Sequence, residues 1–231
     1  YEIGSGLVGS EMCIRDRIVF DSLAIGMSPF LMNLAACFIV IIINQGLKKY
    51  GGDLAIGAFG IVNRLVFIVV MIVMGLNQGM QPIAGYNFGA KLYGRVNKVL
   101  RLTIIYATAV TTFGFLVGML VPDLVVGIFT SDAELTELSV TGLRITVMFF
   151  PIIGFQMVTS NFFQSIGMAG KAIFLSLTRQ MLILLPCLLV LPQFFGVAGV
   201  WYSMPVSDLL ASLIALVMLV CQFRKFRTSP L

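Results

Sequence analysis

Long apolar runs, separated by short polar or glycine-rich connectors, dominate the pattern of this chain. The runs lie near residues 23–46, 54–86, 99–121, 138–165, 172–192 and 196–221. A helix needs about 20 apolar residues to cross the ~30 Å hydrocarbon core of a bilayer. The pattern therefore predicts an all-α membrane protein built as a bundle of six transmembrane helices.

The second run, residues 54–86, is longer than one span requires. As a continuous helix its 33 residues would extend for about 50 Å at 1.5 Å per residue. We expect this helix to tilt, protrude or bend, with Pro82 as the point of the bend. A kink that flexes is one interpretation of this proline, whereas a passive helix end capped by Gly85 and Asn87 is the simpler one.

Composition supports a membrane protein and restricts the chemistry. The chain is 59% hydrophobic and 11% charged, with a mean hydropathy of +1.03. It contains no histidine, which removes imidazole metal ligands, Ser/His catalysis and imidazole proton relays. Its four cysteines show no Cys-x-x-Cys spacing, so a redox or metal role is not indicated. We therefore expect no enzymatic activity, no metal site and no cofactor.

The positive charges are distributed unevenly among the connectors. Lys and Arg in short loops stay on the cytoplasmic side of a membrane. The opposite connectors contain only Lys48 and Lys49 with five acidic residues, whereas nine basic residues fall in the second and fourth connectors and the C-terminal tail. These nine are Lys91, Arg95, Lys98, Arg101, Lys171, Arg179, Arg224, Lys225 and Arg227. The bias predicts a multi-pass protein of the cell membrane with both termini cytoplasmic, and it accounts for the net charge of +5 without a nucleic-acid partner.

The first seventeen residues, YEIGSGLVGSEMCIRDR, differ from the rest of the chain. They have no helical or strand period and no apolar core of signal-peptide length, and they join the apolar chain abruptly at Ile18. The stretch resembles a translated adapter or cloning sequence, with a native amphipathic lead-in to the first span as the alternative. We predict a non-native leader at 1–17 and a six-helix transmembrane lobe at 18–231.

Five spaced stretches carry a family resemblance. They are KYGGDLAIGAFGIVNR (49–64), GLNQGMQPIAGYNFGAK (75–91), FFQSIGMAGKA (162–172), SLTRQ (176–180) and GVWYSMPVSDLL (199–210). In this order they resemble the C-terminal half of MATE multidrug efflux transporters, and the likeness runs from about residue 18 to 227. The GxQPIxGYNxGA pattern occurs once in the chain, consistent with one copy of the six-helix unit.

The resemblance implies a twelve-helix parent whose two six-helix halves enclose a central cleft. The expected partners are the bilayer, the N-terminal half of the same transporter, and small organic cations or drugs. The expected activity is export of such compounds in exchange for Na⁺ or H⁺. Some members carry coupling acids at two positions of this half, which here fall near Ala36 and Cys37 and at or near Gln156. Because these residues are neutral, the coupling acid is expected in the other half.

Polar residues inside the spans are costly in hydrocarbon and are the candidates for function. Met157, Ser160, Asn161 and Gln164 follow an i, i+3, i+4, i+7 spacing that places them on one helix face, with Gln156 adjacent. Such a face could bind drugs through adaptable methionine packing and neutral hydrogen bonds. The alternative is adhesion between helices.

Further candidates lie in the second and last spans. Asn77 and Gln81 are four residues apart beside Pro82, where they could line the cleft or satisfy the carbonyl that proline leaves unpaired. Asp208 sits near the middle of the last span and is the ion-coupling candidate. An unpaired carboxylate there is expensive, so we favour a structural ion pair, with Arg144 as a partner if their depths agree.

Other functions remain open at this point. A lipid-linked oligosaccharide flippase of the same superfamily should display several arginines for diphosphate, and only Arg64, Arg144 and Arg179 are available. A six-helix module that dimerises into a complete carrier is an alternative that the composition does not exclude. A membrane-embedded enzyme would need clustered His, Asp or Cys residues, which the sequence does not offer.

Overall fold

The computed structural model describes the backbone of residues 5–228, and side chains from Phe30 to Phe223 except at positions 32 and 169. Within this range every regular element is helical. The elements are α1 (Ser5–Gly89), α2 (Tyr93–Leu120), α3 (Pro122–Gly127), α4 (Ala133–Val147), α5 (Phe150–Ser165), α6 (Ala169–Leu177), a π-helical segment (Thr178–Leu184), α7 (Leu185–Phe195) and α8 (Val197–Thr228).

Four of the described helices are long and apolar enough to span a bilayer, and α4 with α5, bent by 55° between them, makes a fifth if the pair counts as one span. In α1 the apolar stretch Asn33–Gly89 has 57 residues, enough for two spans of about 20 to 25 residues each. Gly52 interrupts it with a non-helical φ of 68° and ψ of −165°, which only glycine adopts readily. Counted as two spans, α1 completes the predicted six-helix bundle.

Pro82 and Pro151 occupy different positions in their helices. The structure interrupts α1 at Gly52, and the helix assignment continues through Pro82 to Gly89. A bend at Pro82 within this continuous helix stays a prediction. The bend between α4 and α5 lies just before Pro151 in the first turn of α5, where a missing N–H and a restricted preceding residue favour a helix start.

The predicted leader, 1–17, is only partly described. Residues 1–4 lie outside the described residues, and no side chain of the leader is described. The backbone of α1 begins at Ser5. The foreign origin of the leader stays a prediction.

The connectors gather at two ends of the bundle. At one end, Lys171 Nζ donates a hydrogen bond to Gln222 Oε1, and Phe223 shares a cavity with Tyr93. This basic end therefore joins the second and fourth connectors to the end of α8. At the other end, a Cβ on Gly51 would lie 2.7 Å from Val197 Cγ2, which joins the first connector to the fifth. The grouping is the one that the charge pattern predicts.

Two apolar clusters fill the bundle. One surrounds Trp201 and Phe59 and includes residues of α4 and α8, whereas the other surrounds Phe162 and Phe163 near the basic end. Small residues allow the closest approaches: a Cβ on Gly154 would lie 2.9 Å from the carbonyl oxygen of Ala107. Such contacts are typical of transmembrane helices, where tight backbone approach replaces the hydrophobic driving force available in water.

Candidate functional site

A small polar cavity lies between α5 and the helix that follows it. Its volume is about 140 Å³. It is lined by Gln156, Met157, Ser160, Asn161, Gln164, Ser176, Arg179 and Gln180. Met157 packs against both apolar clusters, so the cavity lies at the boundary between them. We call these eight residues the polar cleft.

Three elements position the cleft residues. The i, i+3, i+4, i+7 spacing in α5 brings its polar side chains to one face, and the structure places all five predicted α5 residues in the lining. Ser176 comes from α6, whereas Arg179 and Gln180 come from the π-helical segment. A π-helical turn is rare and occurs mainly where it redirects side chains at functional sites. Here it presents two long polar side chains toward α5.

Neutral hydrogen bonds organise the α5 side of the cleft. Ser160 Oγ lies 3.2 Å from Ser176 Oγ, which links α5 to α6. Asn161 Nδ2 donates to the carbonyl of Met157 at 2.9 Å, and its Oδ1 accepts from Gln81 Nε2 at 3.4 Å. The amide of Asn161 is thereby held between its own helix and α1.

The charged part of the cleft is an ion pair. Nε of Arg179 lies 2.7 Å from Oδ1 of Asp208 in α8. The Asp208 side chain is 7% exposed and that of Arg179 is 32% exposed, so the carboxylate is buried behind an arginine that reaches the cavity. The hydroxyl of Ser212 donates to the Asp208 backbone carbonyl. Asp208 therefore has the structural partner that its depth requires.

The partner itself differs from the one considered from the sequence. Arg144 is exposed on α4, and Asp208 pairs instead with Arg179. The assignment of Arg179 to the fourth connector is also wrong, because the residue lies within the apolar helix Gly170–Phe195. Its charge is tolerated there because Asp208 lies directly opposite. Without Arg179 the basic connectors and tail keep eight of the nine residues, so the charge bias remains.

The predicted residues of the second span are only partly brought to the cleft. Gln81 reaches it through its hydrogen bond to Asn161 but is absent from the lining. Asn77 is 2% exposed, and neither polar atom of its amide has a partner among the described side and main chains. A drug-binding role for these residues, and for the α5 face, stays a prediction.

Three cleft residues were missed by sequence reasoning: Ser176, Arg179 and Gln180. Their signal was present, since the stretch SLTRQ lies inside the apolar run 172–192. An arginine seven residues into such a run is a functional candidate by position alone. Assigning it by charge to a neighbouring loop concealed it.

Comparison with known proteins identifies the family. The MatE family profile matches residues 27–189, which is most of the chain. The chain belongs to the MatE family. The matched range contains all eight residues of the polar cleft, whereas Asp208 lies beyond it.

Curated relatives of this MatE chain are multidrug export proteins. The multidrug export protein MepA of Staphylococcus aureus is 29% identical over 192 residues, covering 83% of this chain and 42% of MepA. MepA of Staphylococcus saprophyticus is 24% identical, covering 87% of this chain and 44% of that protein. The chain thus spans less than half the length of these relatives.

Solved structures agree with the fold. The MATE multidrug transporter DinF-BH is 36% identical with a TM-score of 0.77, over 89% of this chain and 46% of DinF-BH. An outward-facing MATE family transporter matches with a TM-score of 0.85 at 19% identity, over 92% of this chain and 48% of its own. An inward-facing transporter matches with a TM-score of 0.82 at 19% identity, over 93% of this chain and 50% of its own. The six-helix bundle is a MATE fold unit.

Proposed function

We propose that this chain forms one six-helix lobe of a multidrug efflux antiporter. The support is the MatE membership together with relatives named as multidrug export proteins and a solved relative named as a multidrug transporter. The chain corresponds to 42–46% of these proteins, so a second lobe of similar size completes the cleft. The exported compounds are organic and often cationic and lipophilic.

The observation that carries this proposal is the polar cleft in a bundle that is otherwise apolar. Its lining offers amides, hydroxyls and one methionine thioether, a set suited to varied drugs because methionine adapts its shape and neutral groups accept or donate hydrogen bonds. The single charge in the lining, Arg179, is compensated by Asp208. A cationic compound therefore meets no unbalanced positive charge at this wall.

Coupling to Na⁺ or H⁺ is assigned to the other lobe. Ala36, Cys37 and Gln156 are neutral, and a neutral amide neither titrates nor supplies a full negative charge. Asp208 is the acid of the cleft region, and Arg179 already occupies one of its oxygens. We therefore assign Asp208 a structural role. Ion exchange at Asp208 is the alternative hypothesis, and substitution of this residue distinguishes the two.

The orientation follows from charge. The basic end, with Lys91, Arg95 and Lys171, faces the cytoplasm of the cell membrane under the positive-inside rule. The acidic end carries Asp53, Asp123 and Asp132 and faces outward. Both termini are then cytoplasmic.

A flippase is less well supported. Diphosphate recognition requires a cluster of arginines, and Arg179 is the single Lys or Arg in the described lining of the cleft. Because its Nε is engaged by Asp208, little positive charge is left for a diphosphate.

Efflux of ethidium from cells tests the proposal. Residues 18–231 are expressed alone and together with the six-helix N-terminal half of the S. aureus MepA relative or of the parent gene. We expect efflux from the pair and none from the lobe alone, because one wall leaves a bound drug largely exposed. Efflux from the lobe alone would support a self-dimerising carrier instead, and failure of every correctly inserted pair would contradict the proposal.

A further inference from the structure

A large open groove runs along the basic end of α2, away from the polar cleft. One part has a volume of about 510 Å³ and is lined by successive turns of α2 with Phe223 of α8 opposite. A second part of about 450 Å³ adjoins it. Asn97, Arg101 and Ile105 line both parts. We call the two parts together the α2 groove.

The α2 groove is polar at one end and apolar at the other. Asn97, Lys98 and Arg101 occupy the first turns after the helix start at Tyr93, and all three are exposed. Ile104 and Ile105 follow one turn deeper. At 1.5 Å per residue, Arg101 lies about 12 Å along the helix from Tyr93, a depth from which its guanidinium reaches the membrane interface by snorkelling.

Positive charge surrounds the mouth of the groove. Lys91 and Arg95 are exposed beside it, and the sequence continues from Phe223 into Arg224, Lys225 and Arg227. Among the side chains that the structure describes, Asp53, Asp123 and Asp132 belong to the opposite end, and Asp208 pairs with Arg179. The described charges at the groove mouth are therefore positive.

We propose that the α2 groove binds an anionic phospholipid, with the phosphate at Lys98 and Arg101 and an acyl chain along Ile104 and Ile105. A headgroup phosphate matches the guanidinium and ammonium donors, and basic pockets at the cytoplasmic ends of transmembrane helices have this chemistry. The apolar floor distinguishes a lipid from free phosphate, which has nothing to place there. The proposal is independent of the drug-efflux proposal.

Competitive lipid binding to the purified full chain tests this site. Native mass spectrometry measures retention of phosphatidylglycerol against phosphatidylcholine with the same acyl chains, at equal concentration. We expect the unaltered chain to prefer phosphatidylglycerol. The double variant Lys98→Gln with Arg101→Gln should lower that preference by about thirtyfold, since each basic residue near an anionic surface contributes about fivefold. The matched control, Arg144→Gln, removes an exposed arginine on α4 and should leave the preference unchanged.

A second variant tests the shape of the groove rather than its charge. A Cβ on Gly94 meets no atom within 4 Å, so Gly94→Trp adds a large ring to the groove without a clash in the bundle. Gly170→Trp is the control, because Gly170 is equally unobstructed and lies at the same basic end. We expect Gly94→Trp to abolish the tightly retained lipid and Gly170→Trp to keep it.

The two variants also separate a site from a diffuse charged surface. Equal retention of the two lipids by the unaltered chain would overturn the proposal. So would an unchanged lipid preference in both the double variant and Gly94→Trp. A third outcome would also overturn it: the double variant loses the lipid preference while Gly94→Trp retains the lipid fully. That result would indicate general attraction to the basic end instead of binding in the groove.

Discussion

The polar cleft and the glycine-packed parts of the bundle use the interior of the lobe differently. At Gly154, α5 lies so close to α2 that an added Cβ would come within 2.8 Å of Thr111 Oγ1. One to two turns further along α5, the same helix leaves a cavity of about 140 Å³ against the π-helical segment. Packing is thus tight on one face of α5 and open on the other.

We infer from this difference that one face of α5 contributes to stability and the other to recognition of the drug. The face toward α2 carries small residues that hold the bundle together by close contact. The face toward Arg179 carries amides and hydroxyls whose hydrogen bonds to other helices are long, at 3.2 Å between Ser160 and Ser176 and 3.4 Å between Gln81 and Asn161. Substitutions on the first face should alter folding, and those on the second should alter transport. Asp208 is the exception, because it supports the cleft from behind.

Removing the Asp208 charge is expected to have the largest effect. Asp208→Asn keeps the shape of the side chain but leaves the Arg179 charge uncompensated. We expect a loss of about 2–3 kcal/mol in unfolding free energy, below the 3–5 typical of fully buried pairs because Arg179 is partly exposed. Thermal melting and expression level measure it, and activity should fall with them.

A second substitution sharpens this result. In the double variant Asp208→Asn with Arg179→Gln no charge is left unpaired, so stability should recover relative to Asp208→Asn alone. Normal melting of Asp208→Asn together with abolished drug-induced cation flux in the complete transporter would instead assign Asp208 to ion exchange.

Crowding the tight face of α5 should have the next largest effect. Gly154→Ala places a methyl group against the backbone of Ala107, which cannot move as a side-chain end can. We expect a destabilisation of about 1–3 kcal/mol, measured by thermal unfolding in detergent. Gly79→Ala is the control, since no atom lies within 4 Å of its Cβ position. Equal melting of both variants would show that the close contact does not limit stability.

Changing the open face should affect transport more than folding. Asn161→Leu removes the amide that bridges α5 and Gln81, and one lost hydrogen bond to a drug corresponds to about threefold to tenfold in affinity. We expect the drug concentration for half-maximal efflux to rise by that factor in the complete transporter. Gln193→Leu is the control, because Gln193 is an exposed amide on α7. A large drop in melting temperature with unaltered efflux would reverse the assignment of the two faces.

The smallest expected effect concerns the hydroxyl pair of the cleft. Ser176→Ala removes the 3.2 Å contact with Ser160, and hydrogen bonds between transmembrane helices average about 0.6 kcal/mol. A double-mutant cycle with Ser160→Ala should therefore give a coupling below about 1 kcal/mol. A coupling several times larger would make this pair a structural support of the lobe.

Much of the fold and of one cleft wall follows from the sequence. Apolar run length determines the helices, and helical spacing brings Gln156 through Gln164 to one cavity. The interruption of α1 did not follow from the sequence: its non-helical dihedral angles lie at Gly52, because only a residue without a Cβ adopts them readily. Arg179 was assigned to a loop because the charge rule for loops does not consider a tertiary partner. Its 2.7 Å contact with Asp208 joins residues 29 positions apart in the sequence and depends on how their helices pack.

Drug protection of a cleft cysteine tests the central claim most directly. In a complete transporter whose cysteines are all replaced, the Ser160→Cys variant is labelled with a small water-soluble thiosulfonate, with and without ethidium. Glu137→Cys, on the exposed surface of α4, is the control. If the polar cleft binds drug, ethidium slows labelling of Ser160→Cys severalfold and leaves Glu137→Cys unchanged. Equal labelling rates with and without a transported drug at Ser160→Cys would contradict the account.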